Sequence, residues 1–209
     1  IALINAGGIQ ASLNPGELTY SDALRVFPFG NTLCICGMSG QTLLDELEFG
    51  AALMPENFGG LLHTAGLSYT IDATIPTPVQ VDDKNRFIGV SGDRRRVRDV
   101  KVGGKPLEPS RIYSVISVSF TLLGGGDGHR FEGSRVIRPD FITAADAFAH
   151  FIKSFPAIPE SYRAPQGRIK IIRDRETLPK VPIIWHPFIL RRFLGLLCGT
   201  AVQKQRRGL

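Results

Sequence analysis

The chain opens on Ile1-Ala-Leu-Ile-Asn5, an apolar run that stops at a polar residue and two glycines, as a buried strand does when it feeds a tight turn. Such a strand needs a neighbour on each side, and neither an initiator Met nor a charged-then-apolar leader precedes it. The expectation is a fragment or processed product whose natural beginning is missing. Thr19 to Val26 combines a capping residue with Leu24 and Val26 and a stop at Pro28, which predicts a short helix or turn. Thr32 to Met38 reads as an apolar strand. Leu43, Leu44 and Leu47 then recur at helical spacing, predicting an amphipathic helix over residues 40–53 with its acids on the face away from the leucines. Leu67, Tyr69 and Ile71 alternate as in a half-buried strand, whereas residues 73–86 read as a long turn region. Val97, Val100 and Val102 lie near the turn Gly103-Gly104, and the β-branched stretch Tyr113 to Phe120 predicts a central strand. Thr143 caps a helix with Ala144, Ala145, Phe148 and Ile152 along one stripe, and a proline-rich loop leads to a last strand, Arg168 to Ile172. Strands and helices mix without strict βαβ alternation, so the pattern alone predicts an α+β layered domain over residues 1–172.

Composition changes this picture little. A chain that is 43% hydrophobic with 13 Phe has the apolar surface to fold, which excludes general disorder. The three cysteines, Cys34, Cys36 and Cys198, show no CxxC and exclude a disulfide framework or a zinc-finger layout. Cys34 and Cys36, two apart in a strand, point to one face and read as small buried thiols rather than a metal-binding pair.

Charge separates the ends of the chain. From Asp174 onward, seven basic residues face two acids, so the tail, residues 173–209, holds nearly all of the net +6. A pI near 9.5 therefore describes the tail and not a basic face of the domain, and no nucleic-acid partner is expected. The tail's apolar run, Phe193 to Val202, is well short of the roughly 20 residues that cross a bilayer. It reads either as a basic segment lying on a membrane surface or, more simply, as an irregular appendage.

Three loops after predicted strands carry candidate chemistry. In Asn5-Ala6-Gly7-Gly8-Ile9-Gln10 the adjacent glycines allow backbone to approach a ligand. In Phe27-Pro28-Phe29-Gly30-Asn31 the proline stiffens the chain before Phe29, and Gly30 leaves one side of that ring uncovered. Ser119-Phe120 leads to Gly124-Gly125-Gly126-Asp127-Gly128, where backbone passes close to a ligand and one carboxylate accepts its hydrogen bonds; no Lys-Ser/Thr follows, which excludes a Walker loop. Taken singly, Phe29 fits a core position and Asp127 a turn.

The conjunction is more specific. NAGGI at 5–9, PFGN at 28–31, SGQTLLDELE at 39–48, GGLLHTAGLSYTID at 59–72, SF and GGGDG at 119–128, and GRIKI at 167–171 occur in that order. Residues 1–172 so resemble the C-terminal, substrate-binding domain of the 5′-nucleotidase family, which includes periplasmic UDP-sugar hydrolases and surface ecto-5′-nucleotidases. The resemblance implies an α/β/β/α layering. It further implies a nucleobase clamped between Phe29 and Phe120, with Asn5 contacting the base and Asp127 binding ribose hydroxyls. Gly7, Gly8, Gly125 and Gly126 would supply the loop backbone. Gln10 stands where the family motif ends in an Arg that helps hold substrate phosphate, and a neutral amide cannot supply that bidentate, charge-assisted pair. The spacing from Phe120 to Asp127 is one residue longer than the family pattern.

In the family, hydrolysis belongs to an N-terminal metallophosphatase domain whose two divalent metal ions are held by motifs such as DxH, GDxxD and GNHE; GDxxD and GNHE do not occur here, and the one DxH match, Asp127-Gly128-His129, lies in the glycine loop and offers no two-metal cage. No catalytic residue, metal ligand or cofactor is therefore assigned to this chain, and the ions are expected in a missing N-terminal domain or partner chain. The function so implied is the nucleotide-binding half of a 5′-nucleotidase-type hydrolase in nucleotide catabolism, inactive by itself. A truncated, non-catalytic relative acting as a binding or interaction module is the alternative. Relatives are secreted, periplasmic or surface-anchored, which implies an exported parent protein.

Overall fold

The computed structural model describes residues 1–173. In chain order it forms β1 (Ala2–Asn5), α1 (Tyr20–Val26), β2 (Leu33–Ser39), α2 (Gly40–Gly50), β3 (Leu62–Ala65), β4 (Leu67–Asp72), β5 (Val79–Val81) and β6 (Phe87–Val90). There follow β7 (Val97–Val102), β8 (Lys105–Pro106), β9 (Ile112–Val118), α3 (Ser119–Leu122), β10 (Arg135–Arg138), α4 (Ala144–Lys153) and β11 (Ile169–Ile172). One sheet has the order β10-β2-β9-β1-β3 and a second β11-β4-β7-β8, while β5 and β6 make a separate hairpin. Both larger sheets are mixed: β1 runs parallel to β9 and antiparallel to β3, and β11 runs parallel to β4. This is the α+β class that the element pattern predicts.

Alternation along β2 turns Cys34, Cys36 and Met38 inward. They join Leu43 and Leu47 of α2, Tyr69 and Ile71 of β4, Val97 of β7 and Val115 of β9 in a core shared by both sheets. Each such buried side chain contributes about 1.5–3 kcal/mol. Tyr69 crosses the core to donate its hydroxyl to Leu62 O at 2.8 Å, and burial raises its phenol. Burial also pushes the Cys34 thiol up to about 11, as suits a packing residue rather than a nucleophile.

Two caps start the helices that the sequence marked. Thr19 and Asp22 form a capping box on α1, and Thr143 Oγ1 accepts from Asp146 N at 3.0 Å on α4. The two helices pack on one another, with Phe27 set edge-on to Phe148 at 5.3 Å and Tyr20 donating to Asp146 at 2.8 Å.

The structure corrects the sequence reading in three places. The acids of α2 do not all face solvent: Glu46 and Glu48 are fully buried. Residues 73–86 are not all turn, since β5 lies within them, and β3, β8 and β10 are further strands. The strand expected over Tyr113 to Phe120 ends at Val118, and Phe120 sits on the single turn of α3. The reading of residues 173–209 as a tail falls, beyond Arg173, outside the described residues.

Glu48 explains how an acid tolerates the interior. Its oxygens accept from Arg96 N at 2.8 Å and Val97 N at 2.9 Å, tying the end of α2 to the start of β7. Desolvation outweighs these bonds and raises its carboxyl above the ordinary 4.5. The folded state thus holds this proton to higher pH than the unfolded chain does. Its contribution to stability is fully present below 4.5 and declines as pH rises through the raised folded value. Glu48→Gln should lack that slope, so its stability relative to the wild type should improve from pH 4 to pH 7 in urea titrations. Parallel stability profiles would refute the assignment.

Candidate functional site

β1 delivers Asn5 into the interior and then bends into a 3-10 turn, Ala6–Gly8. Ala6 N and Gly7 N donate to Leu61 O and Gly59 O, both at 2.8 Å, which holds the turn against the segment before β3. From this position the Asn5 side chain donates through Nδ2 to Asp127 Oδ2 at 2.7 Å, joining residues 122 apart in sequence. Asn5 Oδ1 is buried without a hydrogen-bond partner among the described residues.

Asp127 reaches Asn5 because its own backbone is left-handed, at φ 58°, ψ 9°, two residues after a left-handed Gly125 and within the turn Gly126–Gly128. Phe120 packs on this loop: a Cβ on Gly126 would overlap its ring, so any larger residue there would have to displace it. Phe120 is 42% exposed and Phe29 60% exposed, a degree of exposure that a core position does not explain. Phe29 and the buried Gly8 line one shallow cleft with Ile4 and Val118. The two aromatic segments share an anchor. Ser119 N donates to Thr32 O at 2.7 Å, and the Thr32 and Ser119 hydroxyls meet at 3.2 Å. Asn31 O accepts from Ala144 N at 2.8 Å, fixing the same segment to the start of α4.

Gln10 is exposed and does not reach outward: its Nε2 donates to Gly7 O at 2.5 Å, closing the loop on itself. The structure thus joins Asn5, Gly7, Gly8 and Asp127 at the end of β1 and sets Phe120 on Gly126. It brings the segments bearing Phe29 and Phe120 side by side, and it turns Gln10 back. Among the described residues no three His, Cys, Asp or Glu side chains converge as metal ligands would, and no helix is long and apolar enough to cross a membrane.

Sequence reasoning missed what lies under the glycine loop. His129 is buried, with Nδ1 2.7 Å from Glu46 Oε2 and Nε2 2.8 Å from Gly60 O. Both neighbours are acceptors, so Nε2 carries a proton and a further proton lies between Nδ1 and the carboxylate. Glu46 Oε1 also accepts from Phe131 N at 2.6 Å and Arg130 N at 3.2 Å. A signal was present: Glu46 falls three residues after Leu43, at the edge of the apolar stripe rather than opposite it.

Comparison with known proteins gives concordant results. The family model described as "5′-nucleotidase, C-terminal domain" matches residues 1–133. Protein UshA of Escherichia coli is 26% identical over 169 residues, covering 80% of this chain and 26% of UshA. The 5′-nucleotidase of Vibrio cholerae is 34% identical over 128 residues, which is 61% of this chain and 19% of that protein. The crystal structure of a 5′-nucleotidase precursor from Thermus thermophilus matches with a TM-score of 0.69 at 29% identity, over 83% of this chain and 31% of that one. The chain thus spans between about a fifth and a quarter of the length of these curated relatives.

Proposed function

We propose that this chain, which belongs to the 5′-nucleotidase C-terminal domain family, binds a nucleoside or nucleotide and presents it to a metallophosphatase domain not included in it. The observation that carries the reading is the 2.7 Å bond from Asn5 to Asp127, which unites the NAGGI and GGGDG motifs into one polar centre. Around that centre stand two exposed rings. Phe29 and Phe120 would hold the base by its faces, Asn5 would read its edge, and Asp127 would accept from ribose hydroxyls. Stacking takes any base, so selectivity falls to the polar groups.

The two divalent ions of hydrolysis would belong to the metallophosphatase domain. An exported parent protein, secreted or at the cell surface, accords with this reading.

Calorimetric titration with adenosine and AMP tests it. Phe29→Ala and Phe120→Ala should each remove about 1–3 kcal/mol, a loss of roughly 5- to 150-fold in affinity. Unchanged binding by both variants would sink the clamp. Gln10 favours a second reading, a non-catalytic binding module. Its neutral amide, turned onto Gly7 O, does not itself supply a cationic partner for the phosphate, so AMP binding no tighter than adenosine would support that module.

A further inference from the structure

We propose that the buried Glu46–His129 pair is a positioning device that sets where the Asp127 carboxylate stands, and so governs recognition of the ribose hydroxyls of a bound nucleoside. This rests on the reading of Asp127 as the acceptor of those hydroxyls. His129 lies two residues beyond Asp127, and its ring is gripped at both nitrogens, by Glu46 at 2.7 Å and by Gly60 O at 2.8 Å. Phe49 meets that ring edge-on at 4.8 Å and Phe131 stacks on it at 5.4 Å, so its plane is fixed as well. Glu46 also takes the amides of Arg130 and Phe131. One carboxylate on a rigid helix thereby holds three consecutive residues immediately after the glycine loop.

The loop needs such a hold. Gly125, Asp127 and Gly128 are all left-handed, at φ 65°, 58° and 92°, and its own closing bonds, Gly128 N to Gly125 O and His129 N to Gly126 O, are both long at 3.2 Å. The opposite wall is pinned by the same ring. Gly60, whose carbonyl takes His129 Nε2, lies so close to Asp127 that an added Cβ would stand 3.1 Å from the Asp127 Cβ. Its neighbour Gly59 accepts from Gly7 N in the turn that follows Asn5. The imidazole therefore ties together the two walls that bring Asn5 and Asp127 to 2.7 Å. Neither Glu46 nor His129 faces the ligand; both act through Asp127.

The test compares adenosine with 2′,3′-dideoxyadenosine, which keeps the stacking face and lacks the hydroxyls. The wild-type chain should prefer adenosine by about tenfold or more. His129→Gln should reduce that preference to about threefold or less while leaving dideoxyadenosine affinity within about twofold, and Glu46→Gln, whose amide can still donate to a neutral Nδ1, should keep it. A merely structural role would weaken both ligands together. In the wild-type chain, which carries no folding risk, the His129 imidazole 15N signals should shift on adding adenosine and stay put with dideoxyadenosine. Full preference in His129→Gln, or nitrogen signals that ignore both ligands, would overturn the proposal. Wild-type binding without any preference for adenosine would instead overturn the reading of Asp127, and the positioning role with it.

Discussion

Replacing His129 with alanine is expected to destabilise the domain by about 3–5 kcal/mol, because it leaves the Glu46 carboxylate buried beside a hole where its partner stood. Gly60 O loses its donor in the same step, and Phe49 and Phe131 lose the ring they pack against. Glu46→Gln is the informative contrast. Its oxygen can go on accepting from Phe131 N, and its amide can donate to Nδ1 of a neutral imidazole whose Nε2 proton still serves Gly60 O. That exchange should cost no more than about 1.5 kcal/mol. Urea unfolding checks both: with a slope near 2 kcal/mol per molar, the alanine variant should unfold roughly 2 M earlier. Equal midpoints for the two variants would mean that the pair only fills space.

Arg96→Met should be the next most damaging change. The Arg96 guanidinium closes the C-terminal end of α2, donating to Ile75 O at 2.5 Å, Met54 O at 2.7 Å and Ala52 O at 3.0 Å. These are carbonyls that a helix end and the loops beside it leave without partners, and a planar cation with several N–H groups serves them together. Methionine would preserve the buried stem but strand the carbonyls, at an expected cost of about 2–4 kcal/mol. Arg96→Lys should fall between, since an ammonium cannot span all three. Hydrogen exchange should quicken first at the end of α2. A lysine variant as stable as the wild type would contradict the multiple-carbonyl account.

Local pattern made much of this fold readable. Thr19 and Thr143 announced their helices because capping chemistry acts within three residues, and Cys34 and Cys36 announced an inward face because a strand repeats every two. Strands with little buried surface were harder: all four residues of β10 are exposed, so no alternation marks it. Glu48 was misread because a helical wheel assumes that acids seek water, whereas backbone amides of β7 and the residue before it came to meet this one. Phe120 was placed on a strand because Val115 to Val118 are strand formers; the turn begins at Ser119, whose carbonyl accepts from Leu123 N. Of the candidate site, the glycines and single polar residues at strand ends were legible. The contact between Asn5 and Asp127 was not, since no periodicity spans 122 positions.

The parallel pairing of β1 with β9 sets Ala2 opposite Ile116. During synthesis the first strand must wait for more than a hundred residues before the neighbour that completes its side of the sheet exists. Closing so large a loop before any reward arrives is slow, and sheets dominated by distant pairings fold in milliseconds to seconds rather than microseconds. Asn5 and Asp127 belong to the two ends of that loop. The Asn5–Asp127 contact is therefore made late in folding, and if the proposed site binds a nucleoside, that binding would report the closure of the sheet in a refolding experiment.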